Sequence, residues 1–93
     1  MFDHHPRPPT MTAVQRRDFC RRAKADRLAF EAAELLSQDG DEAAGPLARA
    51  GLALIGPDRF GFWLRHYATM IFSVATEVVT EFLADVLPRA RAA

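Results

Sequence analysis

Residues 59–87 read RFGFWLRHYATMIFSVATEVVTEFLADVL. Within them Phe60, Leu64, Tyr67, Ile71, Val74, Val78, Phe82 and Val86 recur at spacings of four and three, the repeat of one stripe along an α-helix. Phe72, Ala75, Val79 and Leu83 form a second apolar row beside the first, and Trp63 and Met70 a third. Together the rows cover roughly 220° of the helix circumference, whereas about 100° suffices for a helix resting on a single core. His66, Thr69, Ser73, Thr76, Glu77 and Thr80 occupy the narrow polar face that remains. Asp58 can cap the start, and Pro88 supplies a stop because the residue before proline disfavours the α conformation. The spacing therefore predicts one helix over 59–87, about 43 Å long.

Two further helices are expected upstream. Thr12 and Gln15 have the spacing of a capping box, in which each side chain satisfies a free amide at a helix start. The Asp39-Gly40 pair provides a stop, so the first helix is expected over 13–38 and about 39 Å long. Lys24, Arg27, Glu31, Glu34 and Gln38 fall on one polar strip, and the alanines and leucines of its second half predict burial there. Gly45-Pro46 and Gly56-Pro57 frame a short helix over 46–55. Arg49 is its sole charge, and its alanines and Gly51 suit a central helix closely approached by its neighbours, although Gly51 costs about 1 kcal/mol of helix propensity.

The reading is an all-α fold: a small bundle of two long helices around one short central helix, completed by dimerisation. Residues 12–88 are expected to form the single helical domain, 1–11 a flexible or extended arm, and 89–93 a C-terminal tail. The first two helices are too small to cover so wide an apolar arc on the third. A second copy of the chain is the expected cover, since small oligomers are mostly two-fold symmetric with apolar interfaces. Trp63, Tyr67, Met70, Ile71, Val74, Val78 and Phe82 are the residues expected at that interface or against another protein. Phe62 projects onto the polar side and is expected either as an exposed anchor for a partner or as a sign that the third helix starts after it.

Composition narrows the function further. The chain has 93 residues, 49% of them hydrophobic, with twelve basic side chains against twelve acidic ones, which is the profile of one globular domain rather than a disordered chain. The uncharged stretch between Arg65 and Glu77 is much shorter than the roughly 20 apolar residues of a membrane span. The first residues lack the basic and apolar regions of a secretory signal, so a cytoplasmic location is expected. The single cysteine, Cys20, permits neither an internal disulfide nor a cysteine-built zinc site.

The zero net charge conceals a segregation. Residues 1–27 hold seven basic and three acidic side chains, whereas 28–58 hold one arginine against six acids. Such a dipolar chain can attract a second copy of itself or offer its basic end to nucleic acid. Arg16, Arg17, Arg21, Lys24 and Arg27 are the residues that would follow a phosphate backbone.

Catalytic patterns are weak. Glu77, Glu81 and Asp85 stack carboxylates along one helix side, yet no glutamate is followed by a histidine at the spacing of a carboxylate-bridged metal site. His4, His5 and His66 match no zinc motif, and no phosphate-binding glycine loop or nucleophile elbow occurs. Arginines around Cys20 would favour a thiolate, but a small buried residue on the first helix is the expected role. The segment from Leu47 to Arg65 lacks the polar recognition face of a helix-turn-helix. A non-enzymatic, homodimeric protein-interaction or regulatory module (adaptor, inhibitor or assembly factor) without cofactor or metal is therefore expected. The alternative is a dimeric nucleic-acid-binding regulator using the basic face of the first helix.

Overall fold

The computed structural model describes residues 11–92, with side chains as far as residue 87. The arm expected over 1–11, with His4 and His5, lies outside the described residues except for Met11. Among the described residues the fold is all-α: helices α1 (Ala13–Ser37), α2 (Asp41–Ile55), α3 (Pro57–His66) and α4 (Thr76–Ala92), with a π-helical turn at Tyr67–Ile71 between the last two.

The start of α1 forms as the sequence predicts. The Gln15 amide donates to Thr12 Oγ1 at 3.1 Å, and the Thr12 amide donates to Gln15 Oε1 at 2.8 Å. Its end is closed by a Schellman arrangement, with Gly40 N–H donating to the Leu35 carbonyl at 2.7 Å and Asp39 N–H to that of Leu36 at 3.2 Å. Asp39 is the residue at positive φ (59°), a conformation aspartate tolerates better than most side chains. Gly40 serves a different need, because a Cβ there would lie 3.1 Å from the Leu35 carbonyl oxygen.

α2 begins at Asp41, earlier than the expected start at Pro46. Asp41 and Glu42 favour the first turn through the helix dipole, and Pro46 is accommodated within the helix with its exposed side outward. The short turn folds α2 back along α1, where small residues permit close approach: Ala29, Ala32 and Ala33 on α1 share one core with Ala44 and Ala48 on α2. Gly51 lies directly beneath the Phe60 ring, with a hypothetical Cβ only 2.0 Å from Cε1. α2 and α3 each touch all the other helices, so the central place expected for α2 is shared.

The expected continuous helix over 59–87 is instead two helices. It passes through Gly61 uninterrupted but opens at Tyr67, where Thr69 Oγ1 donates to the Arg65 carbonyl at 2.7 Å, a back-bond that bends helices. Phe72 N–H reaches the Tyr67 carbonyl at 3.1 Å, Ser73 takes a positive φ of 57°, and Val74 N–H returns to the Ala68 carbonyl at 2.8 Å. Those bonds satisfy the frayed end and reverse the chain. α4 then packs on α2 and α3, so Val79, Phe82, Leu83 and Val86 join Phe60, Leu64 and Ala68 in one core with α1 and α2. Much of the apolar surplus is thus covered inside the chain.

Two termination signals also read differently. Gly56 and Pro57, rather than Asp58, open α3, and no side-chain cap is present. The α4 backbone continues past Pro88 to Ala92, replacing the expected stop and tail. Proline removes one hydrogen bond from the ladder, and its fixed φ is itself helical, so near a helix end it need not break the run.

Candidate protein-interaction surface

Aromatic side chains line one side of the molecule because α3 places residues 62, 63, 66 and 67 on a common face. The Phe62 ring meets Trp63 at 5.2 Å between centroids and stacks near-parallel on His66 at 6.3 Å. Trp63 stacks on Tyr67 at 5.8 Å, and Tyr67 meets the edge of Phe30 from α1 at 5.4 Å. Phe30 continues the string to Phe72 at 5.1 Å. Edge-to-face and offset pairs of this kind contribute about 0.5–1.5 kcal/mol each beyond their burial.

That surface is open to solvent. Phe62 is 60% exposed, and Trp63 and Phe30 are about two-fifths exposed. Phe19, 57% exposed on α1, faces Phe62 and Trp63 across a groove of about 700 Å³ whose floor includes Ala23 and Ile55. Arg22, Asp26, Asp58 and Arg59 supply charges of both signs around it. A single exposed apolar residue is ordinary, but a connected aromatic string beside a groove has the composition of an interface centre with a polar rim.

One polar link fixes the string to α1. The Tyr67 hydroxyl donates to Asp26 Oδ1, and this bond, followed by burial and the carboxylate charge, pushes the tyrosine pKa up to about 12. An unfolded tyrosine titrates near pH 10. The stability from this group is therefore complete below about pH 10 and lost as pH rises from about 10 toward 12, because only the unfolded chain releases the proton in that window. Tyr67 is the single tyrosine, so phenolate absorbance reports it alone. Tyr67→Phe is expected to cost about 1 kcal/mol in denaturant unfolding at neutral pH and to abolish this alkaline loss. A wild-type phenol titrating at its ordinary pH would contradict the link.

The residues expected at an interface separate into groups. Phe82 belongs to the core of its own chain, while Tyr67 and Val74 are half-buried against it. Trp63, Met70, Ile71 and Val78 remain exposed. Trp63 lines the aromatic groove, Met70 a second groove with Phe62 and Leu83, and Val78 a cleft between α2 and α4. The break at 67–75 is what distributes them. Phe62 stands outward, and Phe19, Phe30 and Ile55 join the surface without having been singled out in the sequence. Phe19 carried the one available signal, a phenylalanine embedded among Arg17, Asp18 and Arg21.

The basic residues Arg16, Arg17, Arg21, Lys24 and Arg27 are all exposed, and every residue from 11 to 24 is exposed. Arg16 Nη1 donates to the Met11 carbonyl at 3.1 Å. Cys20, expected to be buried, lies exposed in this segment. At the other end of the α1–α2 hairpin, Asp41, Glu42, Glu81 and Asp85 surround a cleft of about 460 Å³ floored by Val78, Phe82 and Val86, with Arg49 the one cation lining it among the described residues. Among the described residues no group of three or more metal-ligating side chains converges, and no helix is long and apolar enough to cross a membrane.

The chain matches no protein-family model, no curated protein and no solved structure.

Proposed function

We propose that this protein is a non-enzymatic helical protein-interaction module that acts as a homodimer. The observation that carries the reading is the aromatic string from Phe62 to Phe72, joined by mutual ring contacts, exposed at Phe62, Trp63 and Phe30 and bordered by a groove. Aromatic residues presented in this way concentrate binding energy because they bury much surface while losing little conformational entropy. Immobilised wild-type protein is expected to retain, from extracts of its source cells, proteins whose recovery Phe62→Asp lowers about thirtyfold, the equivalent of a 2 kcal/mol interface hot spot. Helicity should be unchanged, since Phe62 lies outside the core. Equal recovery by wild type and variant overturns the reading.

A second reading, a dimeric nucleic-acid-binding regulator, is favoured by the uninterrupted exposure of Arg17, Arg21 and Lys24 along α1. It requires nucleic acid to accompany the purified protein at low salt and leave as salt is raised.

A further inference from the structure

We infer that the basic N-terminal half of α1 docks in the acidic α2–α4 cleft of a second copy, twice over, in an antiparallel two-fold dimer. The inference rests on the homodimeric reading above and names its contact. Within 13–24, five basic side chains face one acidic one. This half of α1 is exposed along its length, with Phe19 and Arg22 bordering the aromatic groove, and its first turn holds Arg16 and no acid, where the helix dipole disfavours a cation. A segment that costs stability locally and is left exposed calls for an external partner.

Distance decides that the partner is not the same chain. From Arg17 to the turn after Ser37, where the acidic cleft begins, α1 rises about 30 Å. The Debye length is about 8 Å at physiological ionic strength, so the two ends of one molecule scarcely sense each other. In a second copy they can meet directly. The residue patterns agree: Arg17 and Arg21 are four apart on one helix face, with Val14 beside them, and Glu81 and Asp85 are four apart on α4 beside Val78. Val14 is 62% exposed and Val78 41%, adding apolar surface beside the ion pairs. With the basic half of α1 about 30 Å along the helix from the acidic cleft, an antiparallel pair brings each into contact with its complement and closes. A head-to-tail arrangement would leave one end free and propagate.

The test is charge exchange, read as molar mass by sedimentation or light scattering. Arg17→Glu with Arg21→Glu, and separately Glu81→Lys with Asp85→Lys, change only exposed side chains, so helicity should persist. Each double variant alone is expected to dimerise at least about tenfold more weakly than wild type, and an equimolar mixture of the two to recover the dimer, since both contacts of the mixed pair are again complementary. Variants that dimerise like wild type place the interface on another face, overturning this contact while leaving the homodimer intact. A mixture that stays monomeric also overturns it. A wild-type protein that is monomeric, or whose basic segment is held by co-purifying nucleic acid, overturns the contact and the homodimer together.

Discussion

Gly51→Ala is expected to destabilise the fold by about 3 kcal/mol, although alanine is the better helix former by about 1 kcal/mol. The added Cβ would lie 2.0 Å from Phe60 Cε1 and 2.4 Å from Cδ1, far inside van der Waals contact. The ring cannot swing away, because Phe60 is wholly buried within the core that Leu64 and Leu83 also fill. Either α2 or α3 must shift, and the close alanine packing of α2 on α1 makes a shift of α2 costly. For a domain of this size the loss corresponds to a melting temperature lower by on the order of 15 °C. Phe60→Leu in the Gly51→Ala background should cost less than it does in wild type, because it removes the clash along with the ring. A Gly51→Ala protein as stable as wild type would mean that α2 and α3 do not approach here.

Val79→Asp and Val78→Asp are expected to differ sharply despite being neighbours. Val79 is fully buried against the core, so its aspartate would need either an unpaired buried charge or detachment of α4, at a cost of about 4 kcal/mol. Val78 is 41% exposed over the acidic cleft, and its aspartate should alter folding stability by less than about 1 kcal/mol. Urea unfolding at high salt and low protein concentration isolates folding from self-association. The contrast reports on the reversal at Phe72–Val74. A single helix over 59–87 places Val78 on the main apolar stripe and Val79 on a flanking row, so that arrangement makes Val78→Asp the more damaging change.

Why that reversal escapes the sequence is physical. The spacing of four and three runs from Phe60 through Tyr67, Val74 and Val78 to Val86 without losing phase, and neither glycine nor proline lies between Gly61 and Pro88. What marks the site is weaker: Thr69, Ile71, Ser73, Val74 and Thr76 are β-branched or hydroxylated residues of lower helix propensity. The width of the apolar arc held the better clue. It correctly signals surface in need of cover, but the cover is partly the chain's own second half, since two short helices bury Val79, Leu83 and Val86 against α2 and α3. The Thr12–Gln15 cap, the small-residue face of α2 and the outward Phe62 follow directly from local pattern. The aromatic string does not, because Phe30 and Phe72 meet only after the chain turns back. The segregation of charge is plain in the sequence, whereas the gathering of Asp41, Glu42, Glu81 and Asp85 around one cleft depends on how α4 packs on α2.

The most direct test of a dimeric protein-interaction module is the molar mass of the wild-type chain in solution, by light scattering on a size-exclusion column at low and high salt with absorbance followed at the nucleic-acid and protein maxima. The expected result is a dimer of the 10.4 kDa chain, free of nucleic acid, that weakens as salt is added. A monomer at low salt and high protein concentration, or a species carrying nucleic acid, would contradict it.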